Sequence, residues 1–286
     1  MVNITYVDVL RLATSFDYAD SLNSITNAST DHASLLACDQ SLLDGVIGTN
    51  STQKLIAELP FDAFHEGKIY ATSNWAGSLD NPINITIVDP NTGDISFTRY
   101  VNVAEANGGA AFYPVGTPAN SSEGQQIAFC DQGDVNHHGS QLTVVKPAID
   151  ETNNFLGRNF SSLNDKFGLE LSIRPYVYRP EPKTGVIQAV TGSYIAPNGI
   201  EFSLDYKYVH ITDTGAQTSK DGENNATYPA TIYRFDITPD GKRLENRQTF
   251  AYSSVGLPDG IHTDIKGNVC SAVSRGIHAW DKECVF

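Results

Sequence analysis

Five short runs share one plan: ITIVDPNTGDI from residue 85, LTVVKPAIDET from 142, YVYRPEPKTGVI from 176, TIYRFDITPDGKRL from 231 and GIHAWDKE from 276. Each is an alternating, Val/Ile/Tyr-rich strand that feeds a turn built from Pro, Gly, Asp or Asn. Their central residues, Val88, Val145, Tyr178, Arg234 and Ala279, lie 57, 33, 56 and 45 residues apart. A period near 40 to 50 residues is that of a propeller blade, in which a small antiparallel sheet buries its faces only by stacking on its neighbours. A β-sandwich also has evenly spaced strands, but it does not call for a recurring turn unit once per four strands. The repeat therefore predicts an all-β chain with radially repeated sheets.

At 286 residues and 40% hydrophobic content, one domain with a sizeable core is expected. Residues 1–55 are rich in Ser, Thr, Asn and Asp and read as an irregular lead-in with one or two short helices; residues 56–286 read as the β domain. The net charge of −14 repels phosphate backbones and anionic bilayers, so neither nucleic acid nor membrane is an expected partner. No apolar run is long enough to span a bilayer.

Cys38, Cys130, Cys270 and Cys284 show no C-x-x-C spacing, which argues against a zinc clip or a redox pair and leaves the disulfide pairing open. N-x-Ser/Thr sequons occur at Asn3, Asn27, Asn50, Asn84, Asn120, Asn159 and Asn225 and point to a secretory history. The first residues, MVNITYVDVLRL, have no basic leader and no unbroken apolar core, so a signal peptide is not expected within the chain.

The sequence has no G-x-S-x-G elbow, P-loop, G-x-G-x-x-G or H-E-x-x-H. His137 and His138 are adjacent, so on a strand their side chains would take opposite faces. Oxygen-bearing residues at strand ends remain: Glu66 in FHEG, Asn164 in SSLND, Asn198 in APNGI and Asp259 in LPDGI. Turns from different blades converge on a propeller axis, where two carboxylates and two amide oxygens would suit a hard cation such as calcium, magnesium or manganese. Taken singly, each has a plainer reading. PNG and PDG are common turn tripeptides, with glycine supplying a positive φ; Asn164-Asp165 suits an Asx turn, and Glu66 a solvated loop.

Six stretches, LDGVIGTNSTQKLIAELPFDAFHEG, FCDQG, GRNFSSLND, APNGIEFSLDYKYVHITDTG, PATIYRFDI and GLPDGIHTDIKGNV, together resemble the fungal lactonohydrolases of the senescence-marker/gluconolactonase family, in order over residues 40–280. The resemblance implies a six-bladed β-propeller that hydrolyses a small lactone, of aldonolactone or pantolactone type, to its hydroxy acid. It implies one divalent cation on the axis, calcium first, with Mg2+, Mn2+ or Zn2+ as substitutes. Carried over motif by motif, it implies Glu66, Asn164, Asn198 and Asp259 as metal ligands and Asp259 also as general base. His65 and His262 stand beside these positions and are candidates to contact substrate oxygens.

The sequence departs from the family pattern in three places. FHEGKIYATSN passes from Gly67 to Thr72 without the usual hairpin strand, SSLNDKFGLELSIRPYVYRP omits a strand after Asn164, and AWDKECVF ends before the strands that would close the ring. An incomplete propeller is the expectation, with Asn198 and Asp259 close together and Glu66 or Asn164 displaced. Two other functions fit the same fold: a propeller that binds a small molecule or protein without catalysis, and a strictosidine-synthase-like propeller.

Overall fold

The computed structural model describes residues 4–8, 11, 14–15, 17–18, 20–22, 35–37, 40, 42–48, 52, 54–56, 70–73, 83–89, 91–101, 111–113, 126–131, 141–145, 154–155, 174–181, 184–216, 225, 227–253, 256–273 and 276–282. They divide between two compact units, one of residues 1–55, 198–214 and 229–286, the other of residues 56–197 and 215–228.

The first unit opens with a parallel pair, β1 (Ile4–Tyr6) and β2 (Leu35–Ala37), followed by a short helix over Leu42–Ile47. The second unit holds the antiparallel sheet β3 (Tyr70–Ser73), β4 (Ile83–Val88) and β5 (Ile95–Val101). It also holds β6 (Ala111–Tyr113), β7 (Gln126–Asp131), β8 (Gln141–Val145) and β9 (Asn154–Phe155), again antiparallel, and the hairpin β10 (Val177–Glu181) and β11 (Val186–Thr191). The first unit resumes with a four-stranded sheet of β12 (Pro197–Phe202), β13 (Tyr208–Asp213), β14 (Thr231–Ile237) and β15 (Leu244–Tyr252). It ends with an antiparallel sheet of β16 (Ile261–Thr263), β17 (Val269–Val273) and β18 (Gly276–Trp280).

Each repeat unit found in the sequence lands on a strand: Val88 in β4, Val145 in β8, Tyr178 in β10, Arg234 in β14 and Ala279 in β18. In the sheets β6–β9, β12–β15 and β16–β18 that strand is the third, so the repeat marks an equivalent position in successive sheets. Among the described residues the sheet β3–β5 starts one strand late by this standard and β10–β11 two strands late. The residues ahead of these two sheets, where the shortened segments are expected, lie outside the described set.

The turns after the repeated strands follow from their acids. Asp89 accepts the backbone N–H of Asn91 at 2.7 Å and of Thr92 at 3.3 Å, and those bonds hold its carboxyl below the usual range. In the equivalent turn after β14, Asp240 accepts from the Thr238 hydroxyl at 2.7 Å and from the Lys242 N–H at 3.1 Å, with the same effect on its carboxyl. Gly93 and Gly241, at φ 83° and 68°, take the left-handed position that such turns require.

The core of the first unit forms where its two larger sheets meet. Ile232, Phe250 and Ala251 from β14 and β15 cluster with Ile261, Val269 and Trp280 from β16, β17 and β18, all buried. Strand β13 is buried from Val209 to Asp213, because it is an inner strand with neighbours on either side.

One buried group on β13 makes this unit acid-sensitive. His210 is 5% exposed, its Nδ1 has no hydrogen-bond partner among the described residues, and its ring meets Phe250 edge-on with centroids 4.8 Å apart. Burial, and then Arg234 opposite it on β14, pull its pKa from 6.5 down to about 4, with Glu201 pulling the other way. Between those values the unfolded chain binds more protons than the folded one, so stability falls as pH falls, by about 3 kcal/mol across the window. His278, also lowered by burial, adds in the same direction. Urea midpoints measured from pH 7 to pH 4.5 are expected to fall steeply in the native chain and less steeply in His210→Gln. Equal slopes would take His210 out of the account.

Candidate functional site

Asn198 and Asp259 enter the structure at equivalent places. Asn198 is the second residue of β12, and Asp259 stands two residues ahead of β16 on the buried Pro258; both are exposed. The turn reading of PNG and PDG, in which glycine takes a positive φ, does not hold, since neither Gly199 nor Gly260 is among the positive-φ glycines. Gly199 serves close approach instead. A Cβ there would lie 2.7 Å from the Asp259 carbonyl oxygen and 2.9 Å from Ile261 Cγ2, so only a residue without one lets the two segments meet.

The meeting is fastened by a buried hydroxyl. Thr212, fully buried on β13, accepts the Gly199 N–H at 2.7 Å and donates to the Asp259 carbonyl at 2.9 Å. One side chain thus joins segments 13 residues and 47 residues away in the chain. From the other side the Asp259 N–H donates to Ala272 O at 2.8 Å, the Ala272 N–H to Gly260 O at 3.0 Å, and the Ser271 hydroxyl to Gly260 O at 3.0 Å. Asp259 therefore has its backbone held on two sides while its side chain stays exposed.

Strands β12 and β16 continue side by side below this junction. His262 Nδ1 lies 2.8 Å from Glu201 Oε2, and the Thr263 hydroxyl donates to Phe202 O at 3.4 Å, both pairs 61 residues apart. Asn198 and Asp259 have the same separation in sequence, and the Thr212 clasp brings the Gly199 and Asp259 backbones together. Asn198 and Glu201 are three residues apart on β12, so their side chains take opposite faces of the strand, in keeping with its alternating burial. His262 is 56% exposed at its side chain and Glu201 is 24% exposed.

Of the other expected site residues, Glu66, Asn164 and His65 lie outside the described residues. Among the described residues no three His, Cys, Asp or Glu side chains group as a metal site, and the implied ligand set contains only Glu66 and Asp259 of those types. Asn198 and Asp259 offer an amide oxygen and a carboxylate, both exposed, which is the donor chemistry a hard divalent cation takes.

Sequence reading missed Thr212, Ser271 and Glu201. A signal existed for Glu201, because PNGIE and PDGIH align residue for residue and place Glu201 and His262 three positions after Asn198 and Asp259. For Thr212 and Ser271 there was none, since their partners are backbone atoms of distant segments.

Residues 163–283 match the family model described as the SMP-30/Gluconolactonase/LRE-like region. Two lactonohydrolases of Aspergillus oryzae (strain ATCC 42149 / RIB 40) are similar to this chain. Lactonohydrolase oryL is 37% identical over 117 residues, and lactonohydrolase oryH is 31% identical over 120 residues. These alignments cover 37% and 38% of this chain and 26% of each relative, so the chain spans about a quarter of the length of the curated relatives it matches. The solved gluconolactonase of Xanthomonas campestris is similar in fold, with a TM-score of 0.50 at 17% identity over 76% of this chain and 70% of that one. The described strands are thus those of an all-β fold, antiparallel apart from the β1–β2 pair, and the fold resembles that of a gluconolactonase β-propeller. The matched stretch, residues 163–283, contains Asn198, Thr212, Asp259 and His262, and it is there that the chain is similar to the SMP-30/Gluconolactonase/LRE-like region.

Proposed function

We propose that this chain hydrolyses the ester bond of a small lactone to the corresponding hydroxy acid, with Glu66, Asn164, Asn198 and Asp259 holding a divalent cation, calcium first. The observation that carries the reading is the Thr212 clasp, which joins the backbone of the segment bearing Asn198 to that of Asp259. The lactonohydrolase names of the similar proteins support the same reaction class. A bound divalent cation supplies Lewis acidity toward a carbonyl oxygen.

The residues of the chain do the rest. Asp259, exposed and fixed by its backbone, takes a proton from water as the water oxygen bonds to the lactone carbonyl carbon. The ring C–O bond then breaks, the proton held by Asp259 passes to the departing ring oxygen, and the product carries a carboxyl and a hydroxyl group. Asn198 contributes an amide oxygen, which stays unprotonated throughout and so suits a ligand better than a base.

The test is acid release in a pH-stat from pantolactone and glucono-δ-lactone, using chelator-treated full-length chain resupplied with Ca2+, Mg2+, Mn2+ or Zn2+. Native mass spectrometry of the same samples is expected to show one bound ion. Folded protein that releases no acid with any of the four overturns the reading.

A further inference from the structure

Asn198 is followed directly by Gly199, and an Asn–Gly step is chemically fragile. The glycine N–H loses its proton, the nitrogen bonds to the asparagine Cγ, and the side-chain nitrogen leaves as ammonia. Water then opens the five-membered imide to Asp or to its β-linked isomer, so water is the one co-reactant consumed. Glycine favours the closure because no Cβ obstructs the approach of its nitrogen. The Asn198 side chain is exposed, so its amide is open to this chemistry.

The attacking nitrogen is held elsewhere. The Gly199 N–H donates to Thr212 Oγ1 at 2.7 Å, and Thr212 is fully buried on β13. Around Gly199 the structure is crowded: a Cβ there would lie 2.7 Å from Asp259 O and 2.9 Å from Ile261 Cγ2. Both residues of the step belong to β12, whose extended backbone is paired with β13. An intramolecular attack needs its reacting atoms about 3–3.5 Å apart with orbitals aligned. To reach that geometry Gly199 would have to turn its N–H away from Thr212 and leave the hydroxyl short of a partner.

We infer that Asn198–Gly199 is a latent deamidation site that Thr212 keeps closed, by occupying the one N–H that would attack. The second role of the clasp is thus chemical: it preserves a neutral amide at position 198, where opening of the site would leave a carboxylate or a lengthened backbone. The inference goes beyond the lactonase reading and does not depend on it, since neither cation nor lactone takes part.

The experiment ages the full-length native chain, Thr212→Val, Thr212→Ser and Ile232→Val at mildly alkaline pH, with the native chain in urea as the unfolded reference. Peptide mass spectrometry reads the conversion of the Asn198 amide to acid. The folded native chain is expected to convert at least ~10-fold more slowly than in urea, and Thr212→Val to lose most of that protection. Thr212→Ser keeps the hydroxyl and is expected to stay near the native rate. Ile232→Val loosens the buried core without touching the clasp and is expected to do the same, which separates the lost hydrogen bond from general destabilisation.

A native rate equal to that in urea overturns the inference, as does a Thr212→Val rate no faster than native or matched by Ile232→Val. If Thr212→Val does not fold, amide hydrogen exchange of the native chain decides: Gly199 is expected to be as protected as the buried amides of β13, and fast exchange there overturns the inference. A chain that opens no lactone would leave each of these readouts intact.

Discussion

Asp259→Asn is expected to lower lactone turnover by at least ~100-fold while leaving the fold unchanged, the range over which a positioned general base acts. The two halves of that expectation have separate origins in the structure. The backbone of Asp259 does the structural work, accepting from Thr212 at 2.9 Å and donating to Ala272 at 2.8 Å, and Asn has the same backbone. The side chain is exposed, so the exchange of one carboxylate oxygen for an amide nitrogen is expected to change stability by less than about 0.5 kcal/mol. It removes the group that takes the proton and weakens the hard-cation donor set at once. Turnover and cation affinity are to be measured on the same samples as the denaturation midpoint. Native turnover in the variant would remove Asp259 from the mechanism, and a large loss of stability would mean that its side chain holds the segment in place.

Thr212→Val is expected to damage both the fold and the site. Valine matches threonine in shape, but it leaves the Gly199 N–H and the Asp259 carbonyl without the hydroxyl they share, at a side chain that is fully buried. Two part-buried backbone groups stranded in this way cost about 1–3 kcal/mol together. The catalytic loss should be larger than this stability loss suggests, because Asn198 and Asp259 are freed from one another and a site loosened by about an ångström forfeits much of its rate. Thr212→Ser keeps the hydroxyl and is expected to restore cation affinity and turnover, though not the packing of the lost methyl. If valine and serine behave alike, the methyl group and not the hydroxyl is what Thr212 contributes, and the clasp has no role in the site.

These variants separate from the acid response described for His210. That response depends on a ring buried against Phe250 and opposite Arg234, and it is read in stability alone. Lactone turnover at pH 7 does not enter it.

The local signals in the sequence were strong where a residue's conformation is set by its immediate neighbours. The five strand-turn units were legible because alternation and turn chemistry act over a few residues, and each unit became a strand. The turns themselves followed from Asp89 and Asp240, whose partners are within three residues. The same local logic failed at PNG and PDG. There glycine looked like a turn residue, whereas neither glycine takes a positive φ; at Gly199 the lack of a Cβ serves an approach to a segment 60 residues away, and at Gly260 a Cβ would meet nothing within 4 Å. Nothing within a window of ten residues distinguishes the two uses.

What the sequence determined by itself was the β-rich repeat, the acidic surface and the residue types available for an oxygen-donor site, since these depend on composition and short-range pattern. The tertiary structure decided which of those residues meet. Thr212 clasps Gly199 to Asp259, and Glu201 reaches His262, because segments of two sheets that are remote in sequence pack against one another. Such contacts arise from the packing of whole sheets around Ile232, Phe250, Ile261 and Trp280, and that packing is a property of the folded unit that no short stretch of the chain encodes.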